Sequence, residues 1–119
     1  MALIGGGVGI TPVRALLEEM DGDIAVVYRV ISEDDVIFGE ELQALASRKG
    51  AALHVVAGDH RTDAGRDLLS PAHLQELVPD IAERDVYVCG PPAMADAVRG
   101  SALAARVPAR NLHTERFAL

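Results

Sequence analysis

A chain of 119 residues is one domain of ordinary size, and with 50% hydrophobic residues it can bury a core, which excludes disorder. A formal net charge of -7, with 3% aromatic residues and no tryptophan, excludes nucleic acid or an anionic membrane surface as the main partner. The single cysteine, Cys89, excludes an internal disulfide framework and a cysteine-ligated iron–sulfur cluster, and no apolar run approaches the ~20 residues of a membrane span.

Residues 3–12 read Leu-Ile-Gly-Gly-Gly-Val-Gly-Ile-Thr-Pro. The apolar start predicts a short buried strand, and Gly5, Gly6, Gly7 and Gly9 a tight turn that comes close to a ligand. Thr11 is the expected N-cap and Pro12 the first helical residue, where its fixed φ fits and its missing N–H has no partner to lose. A helix start of this kind cradles a phosphate. The stretch lacks the Lys-Ser/Thr ending of a mononucleotide loop, and alone it is equally a glycine turn without a ligand.

Val13, Leu16, Leu17 and Met20 fall at helical spacing, and Gly22 ends that helix. Residues 24–28 are a continuous apolar run, the mark of a strand covered on both faces. Residues 32–35 form a polar, acidic loop, and Phe38, Leu42 and Leu45 mark a second helix closed by Lys49 and Gly50. A third strand spans 53–57, followed by a long loop over 58–67. Ser70-Pro71 caps a third helix, with Leu74, Leu77 and Val78 as its buried stripe, and Pro79 stops it. A fourth strand, 86–89, runs into Gly90-Pro91-Pro92. An alanine-rich helix then spans 93–107, and a fifth strand lies within 111–117.

Alternating strands and helices predict an α/β fold: an open parallel five-stranded sheet, order 3-2-1-4-5, with helices on both faces. That order makes the first and fourth strands neighbours and opens a ligand crevice at their C-terminal ends, where residues 5–11 and 89–92 would meet. Almost nothing precedes the first strand, so residues 1–119 are expected to be one domain of a longer chain. A reducing compartment is expected, with the domain cytoplasmic or the cytoplasm-facing part of a membrane protein.

Three segments together resemble the NAD(P)-binding domain of the ferredoxin–NADP reductase family of flavoproteins. They are Gly6-Gly7-Val8-Gly9-Ile10-Thr11-Pro12, Val88-Cys89-Gly90-Pro91-Pro92-Ala93-Met94 and Glu115-Arg116-Phe117, in matching order across essentially the whole chain. The wording is also similar to the reductase portion of ferric-reductase and NADPH-oxidase-type proteins. The resemblance implies a nicotinamide dinucleotide lying across the sheet and passing a hydride to FAD held in a separate, preceding β-barrel domain. Such transfer needs little acid–base help, and the protein's task is to hold the reacting atoms about 3–3.5 Å apart.

By the same resemblance, Gly7, Val8 and Gly9 hold the pyrophosphate, flanked by Gly6 and Pro12, and Thr11 sits beside the nicotinamide or flavin. Cys89 and Gly90 floor the nicotinamide slot, followed by Pro91 and Pro92. Glu115 is the carboxylate near hydride transfer, and Phe117 the aromatic that stacks on the flavin. Here Ala118 and Leu119 follow that aromatic, and Arg106 stands where many relatives have a helix-ending glycine, a matter of stability more than function. The flavin-binding Arg-x-Tyr-Ser/Thr signature is absent, so FAD belongs to a domain outside these residues. Beyond the flavin, the family's acceptors include haem, iron–sulfur proteins and small molecules.

Read from its residues, Cys89 is equally a small buried hydrophobe at a strand end, and no cationic neighbour in sequence makes it a nucleophile. The choice between NADPH and NADH turns on the end of the second strand. Arg29, helped by Ser32 and more weakly by Arg61, would meet a 2′-phosphate and tilts the expectation slightly toward NADPH. Glu33, Asp34 and Asp35 crowd the same loop, and an acidic residue there holds a ribose 2′-hydroxyl instead. His54, His60, His73 and His113 show no metal-ligand spacing, and Glu18-Glu19 and Glu40-Glu41 read as solvated helix faces. The alternative to an oxidoreductase domain is a non-catalytic module that senses a dinucleotide.

Overall fold

The computed structural model describes residues 1–59, 61, 62, 65 and 67–116. Four apolar runs and the polar segment Leu112–Arg116 become five parallel strands: β1 (Ala2–Gly6), β2 (Ala25–Val30), β3 (Ala52–Ala57), β4 (Val86–Gly90) and β5 (Leu112–Arg116). Their order is β3-β2-β1-β4-β5, as the alternation of strands and helices predicts. Between them run the helices α1 (Ile10–Glu19), α2 (Gly39–Lys49), α3 (Pro71–Leu77) and α4 (Pro92–Ala104).

Successive side chains of a strand point to opposite faces, which explains the unbroken apolar runs. Leu3, Val26 and Tyr28 join Val13 and Leu17 of α1 and Leu42 and Leu45 of α2 in one core. Ile4, Val27 and Val88 join Leu74 of α3 and Ala95, Val98 and Ala102 of α4 in the other. Each core lies on its own side of the sheet.

The start of α1 corrects the sequence reading. A 3-10 turn over Gly7–Gly9 leads directly into α1, so Gly9 rather than Thr11 is the N-cap, and no side chain caps the helix. Thr11 and Pro12 are the second and third residues of the helix. Proline is still accommodated there, because the N–H groups of the first turn have no partner within the helix. Ser70 does cap α3 as expected, its hydroxyl accepting the His73 N–H at 3.2 Å.

Helices α2 and α4 end in the same turn with different residues. After α2, the Ala51 N–H bonds the Ala46 carbonyl at 2.8 Å and the Gly50 N–H bonds that of Ser47 at 3.3 Å, with Gly50 at φ 67. After α4, Val107 bonds Ala102 at 3.0 Å and Arg106 bonds Leu103 at 3.0 Å, with Arg106 at φ 74. This turn stops α4 at Ala104, short of the expected 107. A left-handed conformation crowds the Cβ of Arg106, and glycine has none. Arg106→Gly is therefore expected to raise stability by about 1 kcal/mol, read as a higher urea midpoint at unchanged slope.

Candidate functional site

The tips of β1 and β4 lie side by side, with Gly5 in register with Cys89. The glycine loop turns back over them. Gly7 takes φ +56, and Gly9 rests so closely on the β4 end that a Cβ there would overlap the Cys89 carbonyl and stand 2.8 Å from the Gly90 nitrogen. Only glycine permits this approach. The first turn of α1 is thereby pinned beside the Cys89–Gly90 segment, with Gly7, Val8 and Thr11 exposed on its open side.

Two clefts flank the paired tips. The larger, about 820 Å³, lies on the α4 side and is lined by Gly6, Gly7, Arg29, Asp35, Pro91 and Met94 among others. The Met94 thioether fills the notch between Gly6 and Gly90, where a Cβ on either glycine would stand 3.2 Å or 2.6 Å from its sulfur. The smaller, about 590 Å³, lies on the α1 side between Pro12 and Leu16 and the residues Tyr87, Cys89, His113 and Glu115 of β4 and β5. Cys89 is in register with Glu115, so thiol and carboxylate stand on neighbouring strands of one face. Burial pushes the Cys89 thiol up, and the charge of Glu115 adds to the shift. Both effects favour the neutral thiol over the thiolate.

Arg29 lies inside β2, in register with Gly6, and its guanidinium donates to the carbonyls of Val30 and, at 3.5 Å, Val56. Burial lowers its pKa and the nearby Asp59 carboxylate partly restores it. Ser32 caps the 3-10 turn of Glu33–Asp35: its hydroxyl accepts the Asp34 N–H at 3.3 Å while Asp35 accepts the Ser32 N–H at 3.1 Å. Arg61 is held by Asp59 through contacts of 2.7, 3.0 and 3.1 Å and lines neither cleft. Pro92 opens α4 and Gly90 ends β4, at the junction between the clefts. Phe117 and His60 fall outside the described residues.

The structure therefore gathers Gly6, Gly7, Gly9, Arg29, Cys89, Gly90, Pro91 and Glu115 at one edge of the sheet, whereas Arg61 is tied to Asp59 and lines neither cleft. Two contributors carry little signal in sequence. Met94 belongs to the Cys-Gly-Pro-Pro segment without a predicted role, and Asp35 is one of three adjacent acids that spacing alone does not separate.

A family model of the oxidoreductase NAD-binding domain matches residues 3–100. The chain belongs to that family. This NAD-binding domain is 33% identical over 119 residues to the ferredoxin reductase component of the 3-ketosteroid-9-alpha-monooxygenase of Mycobacterium tuberculosis, covering 97% of this chain and 32% of that one. It is 32% identical over 114 residues to NADH-cytochrome b5 reductase 2 of Chaetomium globosum, covering 85% and 32%. Among solved structures, the flavohem-like FAD/NAD binding domain of the nitric oxide dioxygenase of Vibrio cholerae superposes with a TM-score of 0.77 at 25% identity, over 98% of this chain and 50% of that one. The domain spans about a third of the length of the curated relatives it matches. The ferredoxin-reductase-like family expected from the three motifs is the family found. Among the described residues, no helix is long and apolar enough to cross a membrane.

Proposed function

We propose that this domain seats a nicotinamide dinucleotide over the tips of β1 and β4 and presents its nicotinamide to FAD carried by a separate domain of the same protein. One observation carries the reading: Gly9 rests on Cys89, so the loop suited to a pyrophosphate and the loop suited to a nicotinamide form one surface. The larger cleft falls within the usual size range of small-molecule sites, and its mostly apolar wall suits an adenosine half. When bound, the two cofactors supply the hydride donor and acceptor, and the protein supplies orientation and charge.

The Gly7–Gly9 turn and the first turn of α1 would hold the pyrophosphate. Pro12, Cys89 and Glu115 would bound the nicotinamide in the smaller cleft. Cys89 contributes a neutral surface, and Glu115 places a carboxylate where hydride loss leaves a cationic ring. Calorimetric titration of the chain with NADH tests the reading. Saturable binding is expected, and no binding at millimolar NADH overturns it.

Of the two nicotinamide dinucleotides, we favour NADH over the slight tilt to NADPH drawn from sequence. Arg29 already donates to two backbone carbonyls, and the Asp35 carboxylate lines the same cleft. A 2′-phosphate there would face the Asp35 carboxylate, with Glu33 and Asp34 adding negative charge in the same turn. NADH is expected to bind about tenfold or more tightly than NADPH, and Asp35→Ala to narrow that ratio, both read by competitive titration. Tighter binding of NADPH, or a ratio unmoved by Asp35→Ala, would reverse the assignment. Electrons would pass beyond the flavin to an iron–sulfur, haem or small acceptor, in keeping with relatives named as a ferredoxin reductase component and a cytochrome b5 reductase.

A further inference from the structure

We propose that Arg14 and Phe38 are positioning residues for dinucleotide choice, their contact setting where the Asp35 carboxylate stands in the larger cleft. Neither residue lines either cleft. Arg14 projects from α1, and its guanidinium carbon lies over the Phe38 ring, 5.4 Å from the centroid. The same guanidinium reaches Glu41, in the first turn of α2, at 2.9 Å. Phe38 is the N-cap of α2 and takes φ 58 and ψ 22, a left-handed conformation that crowds any Cβ. A phenylalanine held in that conformation with 38% of its surface exposed is not placed by burial alone. The role rests on the assignment of NADH to the cleft lined by Asp35.

Residues 32–38 are tied at three points. Ser32 and Asp35 close the acidic turn on itself. The Ile37 N–H donates to the hydroxyl of the buried Tyr28 at 3.1 Å, which fastens the segment to β2. Phe38 then fastens it to α1. Only Val36 and Ile37 separate Asp35 from Phe38, and Val36 packs on the α1-side core. A shift of Phe38 therefore reaches Asp35 with little slack to absorb it. The far end of the tie is fixed as well, since α1 starts from Gly9 on the end of β4. One helix thus serves both halves of the site. The turn suited to a pyrophosphate lies at its start, and Arg14 stands about 6 Å along its axis from Ile10. The Arg14–Glu41 pair is half-exposed, and such pairs add little to stability. What it supplies is orientation, holding the guanidinium over the ring.

The test compares the dissociation constants of NADH and NADPH for the chain and its variants by competitive titration. Arg14→Gln removes the cation, and Phe38→Gly removes the ring together with the cost of the left-handed backbone. Each is expected to narrow the preference for NADH by about threefold or more. For Arg14→Gln the sign decides. Loss of a distant cation by itself would weaken NADPH, the more negative ligand, and widen the preference. The same two changes made on Asp35→Ala are expected to narrow nothing further, because the carboxylate they place is gone. A preference unchanged or widened in either variant overturns the role, as does equal narrowing with and without Asp35. A lowered urea midpoint with the preference intact makes the two residues structural and overturns it too. Failure of the site itself reads differently. An unsubstituted chain that binds no NADH removes the dinucleotide site, a ratio unmoved by Asp35→Ala alone removes the NADH assignment, and either result takes the positioning role with it.

Discussion

Gly9→Ala is expected to be among the most damaging single-methyl changes in the domain. The added Cβ would overlap the Cys89 carbonyl and press on the Gly90 nitrogen, and backbone on both sides leaves no flexible side chain to yield. Overpacking of this kind costs about 1–3 kcal/mol, and more where the obstacle is backbone. Urea unfolding should show a loss at or above the top of that range. Any folded fraction should bind NADH far more weakly, because α1 must lift away from β4 and separate the two loops. Gly100→Ala is the control: nothing lies within 4 Å of its Cβ position on an exposed part of α4, and alanine there should stabilise by up to about 1 kcal/mol. Wild-type stability and affinity in Gly9→Ala would mean that the two loops are not joined as described.

Glu115→Ala carries the largest expected effect on chemistry. In the complete flavoprotein the rate of flavin reduction by NADH should fall by roughly 100-fold, while the dissociation constant of NADH changes by no more than about threefold. Stopped-flow reduction and equilibrium titration separate the two. The asymmetry follows from position: Glu115 lies on β5 beside Cys89, in the cleft on the other side of the sheet from Arg29 and Asp35. Equal losses in rate and affinity would make Glu115 a binding residue, and no loss in either would remove it from the site.

The topology was legible because β1, β2 and β4 are short apolar runs with glycine, proline or acidic residues close by, and covered central strands in alternation with helices admit few arrangements, whereas β5, Leu-His-Thr-Glu-Arg, is polar and was placed by length and order alone. The meeting of residues 5–11 with residues 89–92 followed from strand order alone. The first turn of α1 was misplaced by part of a turn, since Thr11-Pro12 has the composition of a helix start while the 3-10 turn of Gly7–Gly9 carries no signal beyond flexibility. Arg29 and Arg61 look alike in sequence. Only the fold shows one folded against strand carbonyls and the other spent on Asp59. The Tyr87–His113 stack was out of reach for a similar reason, because it depends on the β4–β5 register and neither residue belongs to a motif.

The two clefts sit on opposite faces of one sheet, on either side of the paired tips of β1 and β4. Any molecule filling both must drape across those tips, with one half on each side. On the proposed reading each half would meet a cleft of its own, and the covalent link between them would act chiefly as a tether that raises local concentration. Adenosine and nicotinamide mononucleotides added together should therefore occupy the domain without displacing one another, each far more weakly than the intact dinucleotide.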